Sequence, residues 1–381
     1  MQFCKFVVPE VIFGAGSLAQ VGKAVRRLGA TRVLLVTDPG VIAAGWLETL
    51  LPHIEAEVDY VIWSEVTPNP KDYEVEAGVI CYHERKCDAL VALGGGSCID
   101  AAKGIAVLST NGGRIQAYEG VDKIQRPLPP MVMVPTTGGS GADVSQFAII
   151  SDTVRRIKMT LISKSLIPDI SITDPLLLTT KDAYLTATIG MDALTHSIEA
   201  YVSLAATFLT DVHALRSIEL IFAHLPLSVT GSSDLCAKAA MARGSLHAGL
   251  AFSNAILGAT HAIAHQIGGL LDSHHSALST LLLPYVMEFN LEACPERYAA
   301  IARAMGIDTA AMTLPEAGTA AIAAIRNLAH RIDLTERLAT IGMTAELLPM
   351  VCEHALRDAC MATNPREMTA ATIAAVLHKA M

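Results

Sequence analysis

The sequence lacks any run of 18 or more apolar residues without a charge, a proline or a polar break. Its richest apolar stretch, ALSTLLLPYVMEF, is interrupted by Pro284. Because a transmembrane helix needs about 20 mainly apolar residues, no membrane span is expected. Apolar residues still make up 52% of the 381 positions. We expect them to fill a large core or to cover an interface in a homodimer or larger homo-oligomer.

Basic clusters and paired cysteine motifs are also missing. The 28 Lys and Arg residues are outnumbered by 37 Asp and Glu, which gives a net charge of −9 and argues against nucleic acid as a partner. None of the eight cysteines forms a C-x-x-C, so neither a disulfide framework nor a cysteine zinc site is expected. The N-terminal MQFCKFVVPEVIF has no basic segment followed by a long apolar one. We therefore predict a cytoplasmic protein with reduced thiols.

A length of 381 residues favours two domains. Up to about residue 180, β-branched runs alternate with segments of helical spacing such as LAQVGKAVRRLG and VEAGVICYHERK. This alternation predicts an α/β domain with a parallel sheet over residues 1–180. The predicted strands are 31–38, 60–66, 89–97 and 129–137.

Residues 181–381 have helical spacing almost throughout, which predicts a second, all-helical domain. Breaks between its helices are expected where prolines or paired serines occur. These positions are Pro226, Ser232 with Ser233, Pro284, Pro295 and Pro315.

Three glycine-rich segments compete for a nucleotide site at the carboxyl ends of the strands. GAGSLA at 14–19 fits a dinucleotide fingerprint, but a tight turn explains it as well. LGGGSCIDAAKG is the stronger candidate, because it follows a strand and opens a helix whose N–H groups suit a pyrophosphate. PTTGGSGADVS at 135–145 adds hydroxyl groups after the next strand.

Asp38 ends the first predicted strand, so its carboxylate is either a simple helix cap or a ligand for the adenine ribose. Its place beside the glycine-rich loops favours the ribose. A carboxylate there would repel a 2′-phosphate, which predicts NAD rather than NADP.

The segment GMDALTHSIEAY places Asp192 and His196 four residues apart on a predicted helix, and GATHAIAHQIGG repeats that spacing with His261 and His265. The adjacent His274 and His275 follow. A single histidine on an apolar helix face is usually a hydrogen-bonded core residue, but two such pairs are harder to explain in that way. One carboxylate and several imidazoles therefore indicate a divalent metal site.

Together, GGGSCIDAAKG, PTTGGSGADVS, GMDALTHSIEAY, the histidine stretch and ACMATNPRE at 359–367 give the chain a likeness that runs nearly end to end. The sequence resembles the iron-containing (group III) alcohol dehydrogenases, whose fold is related to dehydroquinate synthase. The resemblance implies an N-terminal dinucleotide-binding domain, a helical metal-binding domain, an active site in the cleft between them, and dimers or larger assemblies.

The resemblance also assigns roles residue by residue. It implies His265 as an additional imidazole beside nicotinamide and substrate. The implied metal ligands are Asp192, His196, His261 and His275. The implied NAD contacts are Asp38, Asn69, Gly95, Gly96, Ser97, Asp100, Thr136, Thr137, Ser140 and Lys158. The implied substrate pocket is Phe147, Phe252 and Cys360.

Some choices stay open. Spacing cannot decide between His274 and His275, and only the resemblance favours His275. Glu199, seven residues after Asp192, is expected to support the site or lie on the helix surface rather than to ligate. The ligand types suit Fe²⁺ and Zn²⁺ alike, so the resemblance alone selects iron. Phe147 stands where relatives carry smaller or polar residues, which predicts a more apolar pocket.

The expected reaction is hydride transfer between NAD(H) and a short-chain primary alcohol or diol, with His265 relaying a proton. Two alternatives are a glycerol-type polyol dehydrogenase and a non-catalytic, regulatory or sensor protein. The D-x-x-x-H pair favours the alcohol branch, and the complete set of proposed ligands disfavours the sensor.

Overall fold

The computed structural model describes residues 4–381. The chain divides into two compact units, which are described separately. One is residues 7–180, and the other is residues 181–381 together with residues 4–6.

The unit of residues 7–180 contains nine strands and five α-helices, and six of the strands form one parallel sheet. Its strands are β1 Glu10–Phe13, β2 Arg32–Val36, β3 Asp59–Trp63, β4 Ala89–Gly94, β5 Gly120–Val121, β6 Met131–Pro135, β7 Phe147–Asp152, β8 Ile157–Ile162 and β9 Ile170–Thr173. Its helices are α1 Val21–Arg27, α2 Pro39–Ala43, α3 Trp46–Glu55, α4 Asp72–Glu84 and α5 Gly96–Asn111.

The order of the large sheet is β1-β9-β6-β4-β2-β3, with every neighbouring pair parallel. After β2 the chain adds β3 on one side and then crosses to add β4 on the other. The carboxyl ends of β2 and β4 therefore flank a topological switch point, the place where open α/β sheets bind ligands. Leu34, Val36 and Leu90 on these strands are fully buried, as expected for a sheet covered on both faces.

All four predicted strands are present, but each is shorter than predicted, and other strands were not anticipated. β7 and β8 form an antiparallel hairpin that, with β5, makes a separate three-stranded sheet. Of the two explanations for GAGSLA, a nucleotide site or a tight turn, the structure favours the tight turn. Gly16, with φ of 82°, precedes a 3₁₀ turn at Ser17–Gln20 that leads directly into α1, and β1 lies at the edge of the sheet, away from the switch point.

All the regular secondary structure in the described part of the second unit is helical. Its helices are α6 Ala183–Val202, α7 Phe208–Thr230, α8 Leu235–Ala255, α9 Ala259–Leu271, α10 His275–Asn290, α11 Pro295–Ala304, α12 Leu314–Arg331, α13 Leu348–Ala355 and α14 Ala370–Ala380. Helix α6 is the central one: every residue from Gly190 to Val202 is buried. Such a helix is apolar on nearly all faces, and the few polar groups on it must find partners in the interior.

Two predicted breaks in this unit are wrong. Pro226 lies inside α7 and Pro284 inside α10. Pro284 is itself buried, so the packing of the helix outweighs the lost backbone hydrogen bond. Pro295 and Pro315 behave as predicted, because both occupy the first turn of a helix, where the missing N–H has no intrahelical partner. No helix among the described residues is long and apolar enough to cross a membrane.

Candidate active site

The helical unit brings together the carboxylate and imidazoles that the motifs single out. Asp192 lies in the middle of α6, His261 in the first turn of α9, and His275 begins α10. One ligand atom from each lies within 4.8 Å of the others. His261 Nε2 is 3.6 Å, and His275 Nε2 4.0 Å, from Asp192 Oδ1. Helix α6 and the consecutive helices α9 and α10 thus present metal-type ligands to one point.

The buried polar atoms at this point fit a cation. Asp192 Oδ1 and His261 Nε2 are inaccessible to solvent and have no hydrogen-bond partner among the described residues. Leaving such atoms unpaired costs about 1–3 kcal/mol each. Ligands about 2.1 Å from one ion at a tetrahedral angle lie roughly 3.4 Å apart, close to the separations seen here. The donor set and its spacing therefore suit a divalent metal, and His275 rather than the exposed His274 belongs to this group.

His196 lies one turn after Asp192 on α6. It does not belong to the group defined by the 4.8 Å separation, but its ring stacks on that of His261 with 4.6 Å between centroids. The His196 ring also stacks on the ring of Phe252 of α8, again with 4.6 Å between centroids. The predicted ligand His196 and the predicted pocket residue Phe252 are therefore both beside the metal-type cluster.

Glu199 supports His261 rather than joining the cluster. Its Oε2 accepts from His261 Nδ1 at 2.6 Å, and its two oxygens also accept from the backbone N–H groups of Gly258 and Thr260 at 3.1 and 2.6 Å. A Cβ on Gly258 would approach Glu199 Oε1 to 2.9 Å, so this contact favours glycine. Glu199 therefore caps α9 and orients the His261 ring, a common arrangement behind metal-binding histidines.

The electrostatics of the cluster favour a positive charge at its centre. Burial alone would raise the pKa of Asp192, but His196, His261 and His275 hold it far below its usual range. Burial alone would lower the pKa of His261, but the neighbouring carboxylates of Asp192 and Glu199 raise it to about 9. Two buried carboxylates thus stabilise a cation, which a bound metal would supply directly.

His265, one turn after His261, has a different environment. Its Nδ1 is 3.0 Å from Asp358 Oδ2, and its ring stacks on that of His275 with 5.2 Å between centroids. Burial would raise the pKa of Asp358, but His265 and the N–H of Cys360 lower it. Cys360 is 1% exposed, and burial beside Asp358 raises its pKa well above that of an ordinary thiol, so it stays protonated. The motifs predicted His265 and Cys360, whereas Asp358 was not singled out, although it lies only two residues before Cys360.

The predicted NAD contacts gather near the switch point in the other unit. Gly95 and Gly96 open α5 directly after β4. A Cβ on Gly95 would meet Thr137 Cγ2 at 3.2 Å, and one on Gly96 would meet Ser140 Cβ at 3.0 Å. The two glycine-rich loops therefore approach closely and leave backbone N–H groups at a helix N-terminus, which suits a phosphate group. Next to them, the buried Thr136 Oγ1 has no partner among the described residues.

A second group of predicted contacts is joined by hydrogen bonds. The Asn69 N–H donates to Ser97 Oγ at 3.2 Å, and Lys158 Nζ donates to Asn69 Oδ1 at 2.7 Å. Asn69 has a φ of 56°, in the left-handed region. Burial raises the pKa of Asp100 to about 7, against the opposing charges of Lys103 and Lys158.

Asp38 follows β2 and is the N-cap of α2, where its Oδ1 accepts from the Val41 N–H at 2.9 Å. The Cys98 thiol donates to its Oδ2 at 3.0 Å. The structure thus supports the simple cap that the sequence left open, while the carboxylate also stands at the switch point. Phe147 is buried at the start of β7, in the same unit.

With this geometry established, comparison with known proteins identifies the family. Residues 9–175 match the model described as iron-containing alcohol dehydrogenase. Residues 186–381 match the model described as Fe-containing alcohol dehydrogenase family, C-terminal. The chain belongs to the iron-containing alcohol dehydrogenase family.

Individual relatives agree with this assignment. The chain is 40% identical over 379 residues to 1,3-propanediol dehydrogenase of Citrobacter freundii, covering 98% of each chain. It is 37% identical over 377 residues to NAD-dependent methanol dehydrogenase of Bacillus methanolicus, covering 99% of each. A crystal structure of 1,3-propanediol oxidoreductase matches with a TM-score of 0.97 at 39% identity, covering all of both chains. Alcohol dehydrogenase from Oenococcus oeni matches over all of both chains with a TM-score of 0.96 at 33% identity.

The resemblance drawn from the motifs and the predicted fold class are therefore confirmed. As a member of this family the protein is an oxidoreductase of the alcohol dehydrogenase and aldehyde reductase type. The predicted cofactors, iron and NAD, agree with the iron-containing family and with its NAD-dependent relatives.

Proposed function

We propose that the protein is an iron-dependent, NAD-linked dehydrogenase that interconverts a short-chain primary alcohol or diol and the corresponding aldehyde. The observation that carries this proposal is the pair of buried, unpartnered ligand atoms, Asp192 Oδ1 and His261 Nε2, next to His275. In the proposal Asp192, His196, His261 and His275 hold the metal. When bound there, a divalent cation would act as a Lewis acid that makes an alcohol easier to deprotonate and an aldehyde carbonyl more electrophilic.

The remaining residues of the helical unit position groups and move a proton. Glu199 keeps the His261 ring in its ligating orientation through the 2.6 Å contact to Nδ1. His265 takes up the proton that the alcohol loses on oxidation, and returns one in the reductive direction. Phe252 and Cys360 line the substrate pocket. Since both are buried, they limit the access of water to the reacting carbonyl.

The α/β unit is proposed to bind NAD through the groups that meet at its switch point. Gly95, Gly96 and Ser97 supply the N-terminus of α5 to the pyrophosphate. Asp38 is proposed to accept hydrogen bonds from the adenine ribose, and Asn69 and Lys158 to contact the nicotinamide half. Asp100, Thr136, Thr137 and Ser140 complete the proposed contacts. Hydride transfer itself is the chemistry of the nicotinamide.

The substrate proposal rests on the relatives and on the apolar pocket residues. Two of the similar proteins are named for 1,3-propanediol and methanol, both small primary alcohols. Phe252, whose ring stacks on that of His196, supplies apolar surface that suits a short carbon chain better than a polyol rich in hydroxyl groups. A glycerol-type dehydrogenase is therefore the less favoured activity.

The test is NADH oxidation by the anaerobically Fe²⁺-loaded protein with formaldehyde, propanal, 3-hydroxypropanal and dihydroxyacetone. We expect turnover with short aldehydes and little with dihydroxyacetone. His261→Ala should lose bound metal and turnover together. His265→Ala, its matched control on the same helix, should keep the metal and lose rate. Metal and full activity in both variants would contradict the proposal, and preference for dihydroxyacetone would favour the polyol activity.

We further propose a homodimer or larger assembly in a reducing compartment such as the cytoplasm. Phe208 and Val212, one turn apart on α7, are 71% and 66% exposed, and the neighbouring Leu204 is 67% exposed. Such neighbouring apolar side chains are typical of subunit contacts. None of the eight cysteines, all in the described part of the chain, forms a disulfide, which agrees with reducing conditions. Sedimentation velocity of the purified protein checks the assembly, and a monomer at micromolar concentration would refute it.

A further inference from the structure

We propose that Asp358 is a positioning residue that holds the proton of His265 on Nδ1 and so reserves Nε2 for proton transfer with the substrate. This inference rests on the proposed role of His265 and adds to it. It selects which ring nitrogen works and names the side chain that selects it.

The geometry around Asp358 defines the tautomer. Its Oδ2 lies 3.0 Å from His265 Nδ1 and also accepts from Gln266 Nε2 at 3.2 Å. The side chains of His265 and Asp358 are only 4% and 3% exposed, so water does not compete for this contact. An ionised carboxylate can only accept hydrogen bonds, so Nδ1 must carry hydrogen. In the neutral ring Nε2 is then left with the free lone pair, which is the form needed to accept a proton.

A purely structural role for Asp358 is the competing explanation. Its Oδ1 accepts from the Cys360 N–H at 2.9 Å and caps the 3₁₀ helix Ala359–Thr363. The two oxygens therefore have separate partners: Oδ1 accepts from the helix, and Oδ2 faces the imidazole and the Gln266 amide. A substitution that preserves the cap while changing the group that faces His265 separates the two roles.

Asp358→Asn is that substitution. Asparagine caps helices as well as aspartate does. If its amide oxygen keeps the cap, its NH₂ faces His265 Nδ1 and favours the tautomer with hydrogen on Nε2. A protease Asp–His pair altered in the same way loses about 10⁴-fold in kcat through the wrong tautomer. Here we expect kcat for propanal reduction to fall by about 10²-fold, the usual contribution of one acid–base group. KM and bound metal should be unchanged.

The matched control is Asp234→Asn. Asp234 caps α8 by accepting from the Ala237 N–H at 3.0 Å, so the same chemical change occurs at a helix cap outside the proposed site. This variant should keep full activity and the same melting temperature. The second comparison is the double variant Asp358→Asn/His265→Gln. Since Asp358 is proposed to act through His265, the double variant should be no slower than His265→Gln alone.

Full kcat in Asp358→Asn, or losses that multiply in the double variant, would overturn the inference. A readout independent of turnover is the histidine side-chain ¹⁵N spectrum of the zinc-loaded wild-type protein. His265 should show hydrogen on Nδ1, and hydrogen on Nε2 alone would overturn the inference even if Asp358→Asn failed to fold. A wild-type protein without aldehyde reductase activity would instead refute the proposed function, so the two failures are distinguishable.

Discussion

At the scale of single residues, the site is defined by polar groups whose partners come from distant parts of the chain. Glu199 shows this best. Sequence spacing suggested a supporting role or a surface position, and the structure buries it against His261, 62 positions away. Its carboxylate serves the backbone N–H groups that begin α9 and the imidazole together. The orientation of the proposed ligand and the start of its helix therefore depend on one side chain.

Glu199→Gln should weaken metal binding while leaving the fold intact. The glutamine amide has one acceptor oxygen in place of two. It can therefore accept from the N–H groups of α9 or from His261 Nδ1, but not from both as Glu199 does. We expect the Kd for Zn²⁺, measured by chelator competition, to rise about 10- to 100-fold. Glu353→Gln, an exposed glutamate paired with Arg357, is the control and should not change it. Equal Zn²⁺ affinity in wild type and Glu199→Gln would show that Glu199 does not position His261.

Asp38 gives a second test at the residue scale. Asp38→Asn retains a good cap for α2 but removes the charge that would repel a 2′-phosphate. The ratio of kcat/KM for NAD to that for NADP should fall at least about tenfold, which corresponds to about 1.4 kcal/mol. Asp182→Asn, at the cap of α6 where Asp182 accepts from the Leu185 N–H at 2.7 Å, should leave the ratio unchanged. A wild-type enzyme that uses both coenzymes equally would refute the assignment.

At the scale of elements, local patterns predicted much of what forms and less of where it ends. The buried runs of β2, β4 and β6 and the helical spacing around Asp192 were recognisable, because each pattern repeats within a few residues. The breaks predicted at Pro226 and Pro284 were wrong, because proline lowers local helix propensity while tertiary packing decides whether the helix continues. The hairpin of β7 and β8, which follows the second glycine-rich loop, was not predicted.

The packing of α7 on α8 gives a pH-dependent prediction. His213 Nδ1 of α7 lies 2.9 Å from His247 Nδ1 of α8. Burial and the nearby charges of His213, Arg216 and Arg243 lower the pKa of His247 to about 4. In the unfolded chain this pKa is about 6.5. Between these values the unfolded state binds more protons, so the pair makes stability fall as pH falls from about 6.5 towards 4.

His247→Gln should therefore reduce the loss of stability between pH 7 and pH 5. The measurement is the difference in urea midpoint between the two pH values, for wild type and variant. His378→Gln, at an exposed position on α14, is the control and should keep the wild-type difference. An unchanged difference in His247→Gln would show that this pair does not titrate on unfolding.

At the scale of the whole molecule, the candidate NAD-binding residues and the metal-type cluster lie in different units. The switch point between β2 and β4 organises the glycine-rich loops, and α6, α9 and α10 converge on one cluster of ligand atoms. The motifs and the family resemblance predicted a shared metal site for these residues, but spacing alone could not give its geometry, because residues 192, 261 and 275 become neighbours only through helix packing. The choice between His274 and His275 shows this limit: one step along the chain separates an exposed side chain from one that faces Asp192.

That choice supplies the most direct test of the central claim that these helices hold a metal ion. Wild type, His274→Ala and His275→Ala are loaded with Fe²⁺ anaerobically, desalted and analysed for iron per chain. The account predicts about one ion per chain in wild type and His274→Ala, and little or none in His275→Ala. A wild-type protein without bound iron, or two variants that retain it equally, would contradict the account.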